Sequence, residues 1–140
     1  MSIIPAVALP VVTARSRDDV DEALDSEIAK SYALWASDED FRRHGAQHPL
    51  GAGFSGAQDV LPFNIDEQTA LSHVAQIPRA LWEVTLNGTP DEVIEQAAQW
   101  RDCGVRYMVL AHVSPIQRSL RKGLASVQPS NKIIRGLKRL

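Results

Sequence analysis

The chain has 140 residues, of which 44% are hydrophobic and 23% are charged, and its formal net charge is -2. This composition is typical of a soluble globular protein, and the length suits one domain rather than two. The single cysteine, Cys103, excludes an internal disulfide framework and a cysteine-rich zinc site. Nothing requires an oxidising compartment, so we expect a cytoplasmic protein.

The longest apolar run covers residues 3–13 and contains Pro5 and Pro10. It is far shorter than the ~20 residues that span a bilayer, so the sequence predicts no transmembrane segment. A secretory signal is the alternative, because Val12, Thr13 and Ala14 resemble a small-residue cleavage site. No basic residue precedes the run, however, and we interpret it as a buried first strand.

A helix is predicted over residues 17–35, capped by Ser16, with an apolar stripe of Val20, Leu24, Ile28, Tyr32 and Trp35. Periodicity then disappears over residues 37–63, where glycine and proline accumulate. We interpret this part as a long irregular loop with a function, within an insertion at about residues 37–86. Asp66 begins a predicted helix that continues to Val74, and another short segment follows Pro78.

The clearest pattern starts at Thr89, a capping residue that is followed by Pro90 and Glu92. It predicts a helix that Gly104 ends. A strand follows over residues 105–113, apolar on both faces from Met108 onward, and two helical segments come after it.

This order of elements is that of a parallel α/β protein. Two strands are too few for a stable sheet, because both edges need neighbours. We therefore expect either a homo-oligomer or other partner that completes the sheet, or a chain that is part of a longer protein.

Positive charge is concentrated in residues 118–140, which hold seven basic residues and no acidic one. Such a segment can bind nucleic acid or an anionic membrane surface. Its apolar residues, among them Leu120, Leu124 and Val127, recur at helical spacing, which favours a solvated helix face instead. Without interleaved aromatic residues or a reading motif, we predict no nucleic-acid binding and keep the anionic surface as a weaker hypothesis.

Several motifs together resemble the luciferase-like monooxygenase family, in particular its deazaflavin-dependent branch. Residues 88–94 and 100–110 are similar to the last helix and strand of that family. The narrower resemblance lies upstream, in Arg43-His44-Gly45, His48-Pro49-Leu50-Gly51, Phe54-Ser55-Gly56 and Gln58-Asp59 followed by Pro62.

The resemblance implies a fold of α/β class, namely the carboxyl-terminal portion of a TIM (β/α)8 barrel, about its last two β/α units, incomplete on its own. Residues 3–13 would be the seventh barrel strand and residues 106–113 the eighth. It also implies hydride transfer from the reduced deazaflavin coenzyme F420, with flavin mononucleotide as second choice, to a ketone of a long-chain lipid. In this interpretation the chain is a truncated form, and the alternative is a non-catalytic remnant or assembly module that pairs through its incomplete sheet.

Five residues are candidates for contact with substrate or cofactor: His48, Gln58, Asp59, His112 and Ser114. For the first three, internal capping of loop turns is an equal alternative. His112 and Ser114 come at the carboxyl end of a strand, where barrels place their sites, although a core histidine and a turn serine are the commoner outcomes.

No residue is assigned a catalytic role from the sequence. His44 and His48 are four residues apart, but Gly45 and Pro49 interrupt any regular helix, so we predict no metal site. We expect Cys103 to be a small buried thiol and both Trp82 and Trp100 to lie in the core.

Overall fold

In the computed structural model the chain is described over residues 4–56, 66–83, 85–116 and 119–140. The elements are, in chain order, β1 (Ala6–Thr13), α1 (Arg17–Leu24), α2 (Glu27–Ser31), a 3-10 turn (Tyr32–Trp35), α3 (Asp38–Arg43), α4 (Glu67–Val74), α5 (Arg79–Trp82), β2 (Leu86–Gly88), α6 (Pro90–Asp102), β3 (Tyr107–His112), α7 (Leu120–Ala125) and α8 (Val127–Leu137). They form two compact units. The first unit is Met1–Ala23 with Thr85–Leu140, and the second is Leu24–Val84.

The first unit holds a parallel sheet of three strands in the order β2-β1-β3. The long pairing aligns β1 with β3, from Ala6 opposite Tyr107 to Val11 opposite His112. The predicted count of two strands is wrong, because β2 pairs with the other edge of β1. Three residues are too few to show the alternation of a strand, so the sequence pattern did not predict β2.

The observed architecture is mixed α/β, as predicted, with α6 and α8 packed on the sheet. The core of the first unit contains Val11, Leu86, Val93 and Ile133, with Leu9, Met108, Leu110 and Leu137 packed against it. An open sheet of three strands does not establish a closed barrel, so the barrel stays a prediction.

One face of β3 is open in the described part of the chain. Side chains along this strand alternate in exposure, and Tyr107 and Val109 are 62% and 63% exposed. The prediction that both faces would be buried from Met108 onward is therefore wrong for Val109. The reason is that the core packs against only the face that carries Leu9, Met108 and Leu110.

The start and the end of α6 are confirmed. Thr89 and Glu92 form the predicted capping box, Pro90 occupies the first helical turn, and Gly104 has the positive φ of 98° expected of a helix stop. Ser16 likewise caps α1, because its hydroxyl accepts a hydrogen bond from the Asp19 N–H at 3.2 Å.

The predicted continuous helix over residues 17–35 is wrong. Ser26 has an extended backbone (φ -66°, ψ 144°), and its side chain accepts a hydrogen bond from the Ala29 N–H. This interaction begins a new helix, α2, which passes into the 3-10 turn. The helix is therefore interrupted at Ser26, which caps a second helix, although the apolar stripe continues through this position.

The segment predicted to be irregular over residues 37–63 contains a helix, α3. Ser37 and Asp40 form a capping box at its start, and Phe41 is buried on it. Six residues with three acidic and two basic side chains show no apolar stripe, which explains why the pattern did not predict this helix. The helix predicted from Asp66 to Val74 is confirmed as α4.

Single side chains also depart from expectation. Trp82 is buried as predicted, but Trp100 is exposed. Cys103 is exposed as well, because it stands at the carboxyl cap of α6 rather than on its buried face. Among the described residues, every helix is too short or too polar to cross a bilayer.

Candidate functional site

The carboxyl ends of the three parallel strands meet at one edge of the sheet. Thr13 of β1 pairs with Gly88 of β2, while Val11 pairs with His112 of β3. In parallel α/β proteins, ligands bind beyond the carboxyl ends of the strands, so this edge is the candidate site. The structure brings two predicted site residues, His112 and Ser114, to it.

Ser114 ties the end of β1 to the turn after β3. Its Oγ accepts a hydrogen bond of 2.7 Å from the Thr13 backbone N–H, and the side chain is buried. A turn follows at once, with the Ile116 N–H bonded to the Val113 carbonyl at 3.0 Å. The hydroxyl thus satisfies a backbone donor that lies beyond the last position at which β1 pairs with β3, which is a structural role.

Two buried polar atoms at this end of the sheet have no hydrogen-bond partner among the described residues. They are Nε2 of His112 and Oγ1 of Thr13. Because His112 pairs with Val11, and Thr13 follows Val11 by two residues, both side chains lie on the same face of the sheet. Burial lowers the pKa of His112, so its imidazole is neutral near pH 7.

Beside this edge lies a polar cluster that the sequence analysis did not predict. Arg17 donates to Oδ1 of Asn87 at 3.4 Å, and Asn87 Nδ2 donates to the Thr85 carbonyl at 2.9 Å. The side chain of Gln96 holds the Asn87 backbone, accepting from its N–H at 3.2 Å and donating to its carbonyl at 2.7 Å. The only feature of the sequence that could have indicated this cluster is the Asn87-Gly88 pair, which directly precedes the capping residue Thr89.

Gly88 is required at this position. It has a φ of 142°, and a Cβ there would lie 2.7 Å from Oε2 of Glu92 and 2.8 Å from the Glu92 Cβ. Glu92 Oε2 accepts hydrogen bonds from the Thr89 N–H at 2.7 Å and from the Thr89 hydroxyl at 2.9 Å. These bonds lower the pKa of the Glu92 carboxyl, the backbone one contributing most.

His48 belongs to the second unit and serves that unit internally. Its ring stacks on Phe54 with centroids 4.2 Å apart and meets Phe41 edge-on at 4.5 Å. Nδ1 accepts from the Leu50 N–H at 3.0 Å, so Nε2 carries the proton and donates to the Leu34 carbonyl at 3.1 Å. Both ring nitrogens are thus used inside the unit, which agrees with the alternative that His48 organises loop turns.

The same loop contains a buried carboxylate, Asp38. Its Oδ2 accepts from the Gly53 N–H at 3.0 Å and lies 3.2 Å from Nε of Arg42. The Gly53 hydrogen bond is the main cause that lowers the pKa of Asp38, which therefore stays ionised. Together with His48, it organises residues 34–54 around polar groups rather than around a large apolar core.

Gln58 and Asp59, the remaining candidates, lie outside the described residues, and their role stays a prediction. Within residues 4–56, 66–83, 85–116 and 119–140, no three His, Cys, Asp or Glu side chains converge as metal ligands would.

Comparison with known proteins supplies the functional context. The chain is 67% identical over 141 aligned positions to the phthiodiolone/phenolphthiodiolone dimycocerosates ketoreductase of Mycobacterium sp. (strain JLS), and the alignment covers the whole chain. The proteins of the same name from Mycobacterium tuberculosis (strain ATCC 25618 / H37Rv) and Mycobacterium kansasii are 52% and 50% identical. The chain is therefore a homologue of proteins named ketoreductases.

The chain spans 37% of the length of the Mycobacterium sp. relative and 38% of that from M. kansasii. No protein-family model matches the chain. No solved structure matches it either.

Proposed function

We propose that this chain forms part of a cytoplasmic oxidoreductase that reduces a ketone on a long-chain lipid. The observation that supports the proposal is the 67% identity, across the whole chain, to a protein named a dimycocerosates ketoreductase. The chemistry would be hydride delivery from reduced coenzyme F420, as the resemblance to the deazaflavin-dependent branch implies, with flavin mononucleotide as the second choice. The chain would supply about the last two β/α units of a TIM barrel.

The described residues do not fit a flavin-sized ring by themselves. Ser114 and His48 are buried and hydrogen-bonded, and the Nε2 atom of His112 and the Oγ1 atom of Thr13 are buried as well, so none of these groups is exposed to a ring. The buried polar atoms without a partner, His112 Nε2 and Thr13 Oγ1, could each take at most a small hydrogen-bonding group. The greater part of a ring pocket would therefore come from segments that the longer relatives possess.

The role that this chain's residues would play is positional. Ser114, through the Thr13 N–H, holds the ends of β1 and β3 together. Gln96 and Arg17 hold Asn87 at the end of β2. A rigid edge of this kind is what a barrel needs to orient groups that arrive from its other strands.

A titration of the 140-residue chain with oxidised F420, followed by deazaflavin fluorescence, tests the proposal. We expect weak but saturable binding, because the greater part of a ring pocket would come from segments that the longer relatives possess. When reduced F420 and a long-chain methyl ketone are mixed with the chain, hydride transfer to the ketone should make the absorbance of oxidised F420 rise. A folded chain that shows neither binding nor turnover would overturn the proposal for this chain.

The second candidate function is a non-catalytic assembly module, and it is favoured by the open face of β3. Tyr107 and Val109 lie exposed there opposite Ala6 and Ala8, which are exposed too. Apolar residues on an open sheet are typical of an association surface. Sedimentation that shows dimers without cofactor binding, and monomers for Val109→Lys, would support the module.

A further inference from the structure

A row of apolar side chains on α7 and α8 faces the solvent. Leu120 and Leu124 are 77% and 66% exposed, and Val127 is exposed too. Ser126, between the helices, keeps a helical backbone (φ -77°, ψ -14°), so the spacing of four and then three residues places all three on one side. We call these three side chains the leucine row.

The same part of the chain is basic throughout. Residues 119–140 hold six basic side chains and no acidic one: Arg121, Lys122, Lys132, Arg135, Lys138 and Arg139. Lys122 pairs with Glu22, and Lys132 pairs with Asp91 at 2.8 Å. In the described part of the chain the other four form no salt bridge, and they are all exposed.

An open depression joins the two features. It has a volume of about 1100 Å³, and its walls include Leu124 and Val127 together with Arg15, Lys132 and Arg135. Apolar and cationic groups therefore border the same surface of the first unit. Such a combination, an exposed apolar row beside unpaired cations, is typical of helices that lie in a membrane interface.

The positive charge of this face favours a lipid surface over a second copy of the chain as its partner. A symmetric dimer would set this face against itself, so that Arg135 and its neighbours would meet like charges. An anionic lipid surface instead neutralises the cations while the leucine row enters the boundary between headgroups and acyl chains. We propose that the leucine row and the cations that border it in the depression, Arg15 and Arg135, form a docking surface for anionic lipid bilayers.

Vesicle co-sedimentation of the 140-residue chain, without cofactor or ketone, tests this docking surface. We expect binding to phosphatidylcholine vesicles that contain phosphatidylglycerol and little binding to pure phosphatidylcholine. Leu124→Ser should weaken binding about tenfold, since it removes a leucine from the apolar boundary. Arg15→Gln with Arg135→Gln should weaken it about 25-fold, because each cation near an anionic surface contributes about fivefold.

Matched controls come from the second unit. Leu71→Ser changes another exposed leucine, on α4, and Lys30→Gln with Arg43→Gln removes the same number of charges. Both controls should bind vesicles as the original chain does. Thermal unfolding of every variant, followed by circular dichroism, verifies that each is folded.

Three results would overturn the proposal. The first is the absence of vesicle binding by the folded chain. The second is binding that falls with the charge variant and stays unchanged with Leu124→Ser, since a polyanion contact such as nucleic acid would then explain it. The third is binding to pure phosphatidylcholine vesicles that is as strong as binding to vesicles with phosphatidylglycerol. Self-association that Leu124→Ser abolishes, in a chain that binds no vesicles, would assign the face to a second copy.

Discussion

The imidazole of His48 stacks on the ring of Phe54 at a centroid distance of 4.2 Å, with only 20° between the two planes. The ring is buried, and its Nδ1 acts as an acceptor for the Leu50 N–H. A protonated Nδ1 could not accept that hydrogen bond. The folded second unit therefore requires the neutral imidazole, and this requirement makes its stability depend on pH.

Acid should destabilise the chain through two histidines, the buried His48 and the half-buried His112. Burial is the main cause that lowers the pKa of His48 below its ordinary value of 6.5, and it lowers the pKa of His112 as well. The unfolded chain therefore binds more protons near pH 6.5, so stability is fully present above that pH and is lost as the pH falls toward the folded pKa values. The loss is at most about 1.4 kcal/mol per pH unit for each histidine.

Urea unfolding between about pH 7.5 and pH 5.5 measures this effect. Its probe is Trp82 fluorescence in a chain that carries Trp35→Phe and Trp100→Phe, so that the signal reports the second unit. His48→Gln should lower stability at neutral pH by about 2–4 kcal/mol, since it removes a packed ring and two hydrogen bonds. It should also remove most of the pH slope of the second unit. A slope that His48→Gln leaves unchanged would show that another group causes it.

Ser114→Ala should destabilise the first unit. The change leaves the Thr13 N–H without the acceptor that now lies 2.7 Å away in a buried position, and an unsatisfied buried donor costs about 1–3 kcal/mol. Ser72→Ala removes an exposed hydroxyl on α4 and should have an effect near zero. Chemical denaturation of both variants gives the comparison, and equal stabilities would contradict the structural role of Ser114.

Thr13→Val should leave stability unchanged or raise it by about 1 kcal/mol, because an isosteric methyl group replaces a buried hydroxyl that has no partner in the described part of the chain. Thr69→Val is the contrasting change. The Thr69 hydroxyl donates to Asp66 at 2.6 Å at the start of α4, so its loss should be mildly destabilising. Thermal melts of the two variants compare their stabilities. A clear fall in the melting temperature of Thr13→Val would contradict the prediction and indicate a water or ligand bound to Oγ1.

Gly88→Ala should be more destabilising than Gly104→Ala. Both glycines have a positive φ, but only at Gly88 does a Cβ meet another group, the Glu92 side chain at 2.7–2.8 Å. The shared backbone strain costs about 1 kcal/mol, and the clash with the capping box adds to it at Gly88. Equal melting temperatures for the two variants would mean that Glu92 moves away without cost.

The capped helices could be predicted from the sequence because their determinants are local. Thr89, Pro90 and Gly104 act within a few residues of α6, and Asp66 acts on α4 in the same way. Ser26 was not predicted to act as a cap. The apolar stripe around it favours one continuous helix, whereas its side chain can begin a new helix, and the structure has the new helix.

Of the candidate site, the sequence by itself placed His112 and Ser114 at the carboxyl end of a strand, since strand ends are marked by a local change from apolar to polar residues. Tertiary structure alone decided that Ser114 bonds to Thr13, 101 positions away, and that three-residue β2 pairs with β1. It also decided that Leu120 and Leu124 are exposed, while Ile133 on the following helix is buried. Helix caps depend on neighbours in the chain, whereas strand pairing and burial depend on which distant surfaces meet, and no local pattern encodes that.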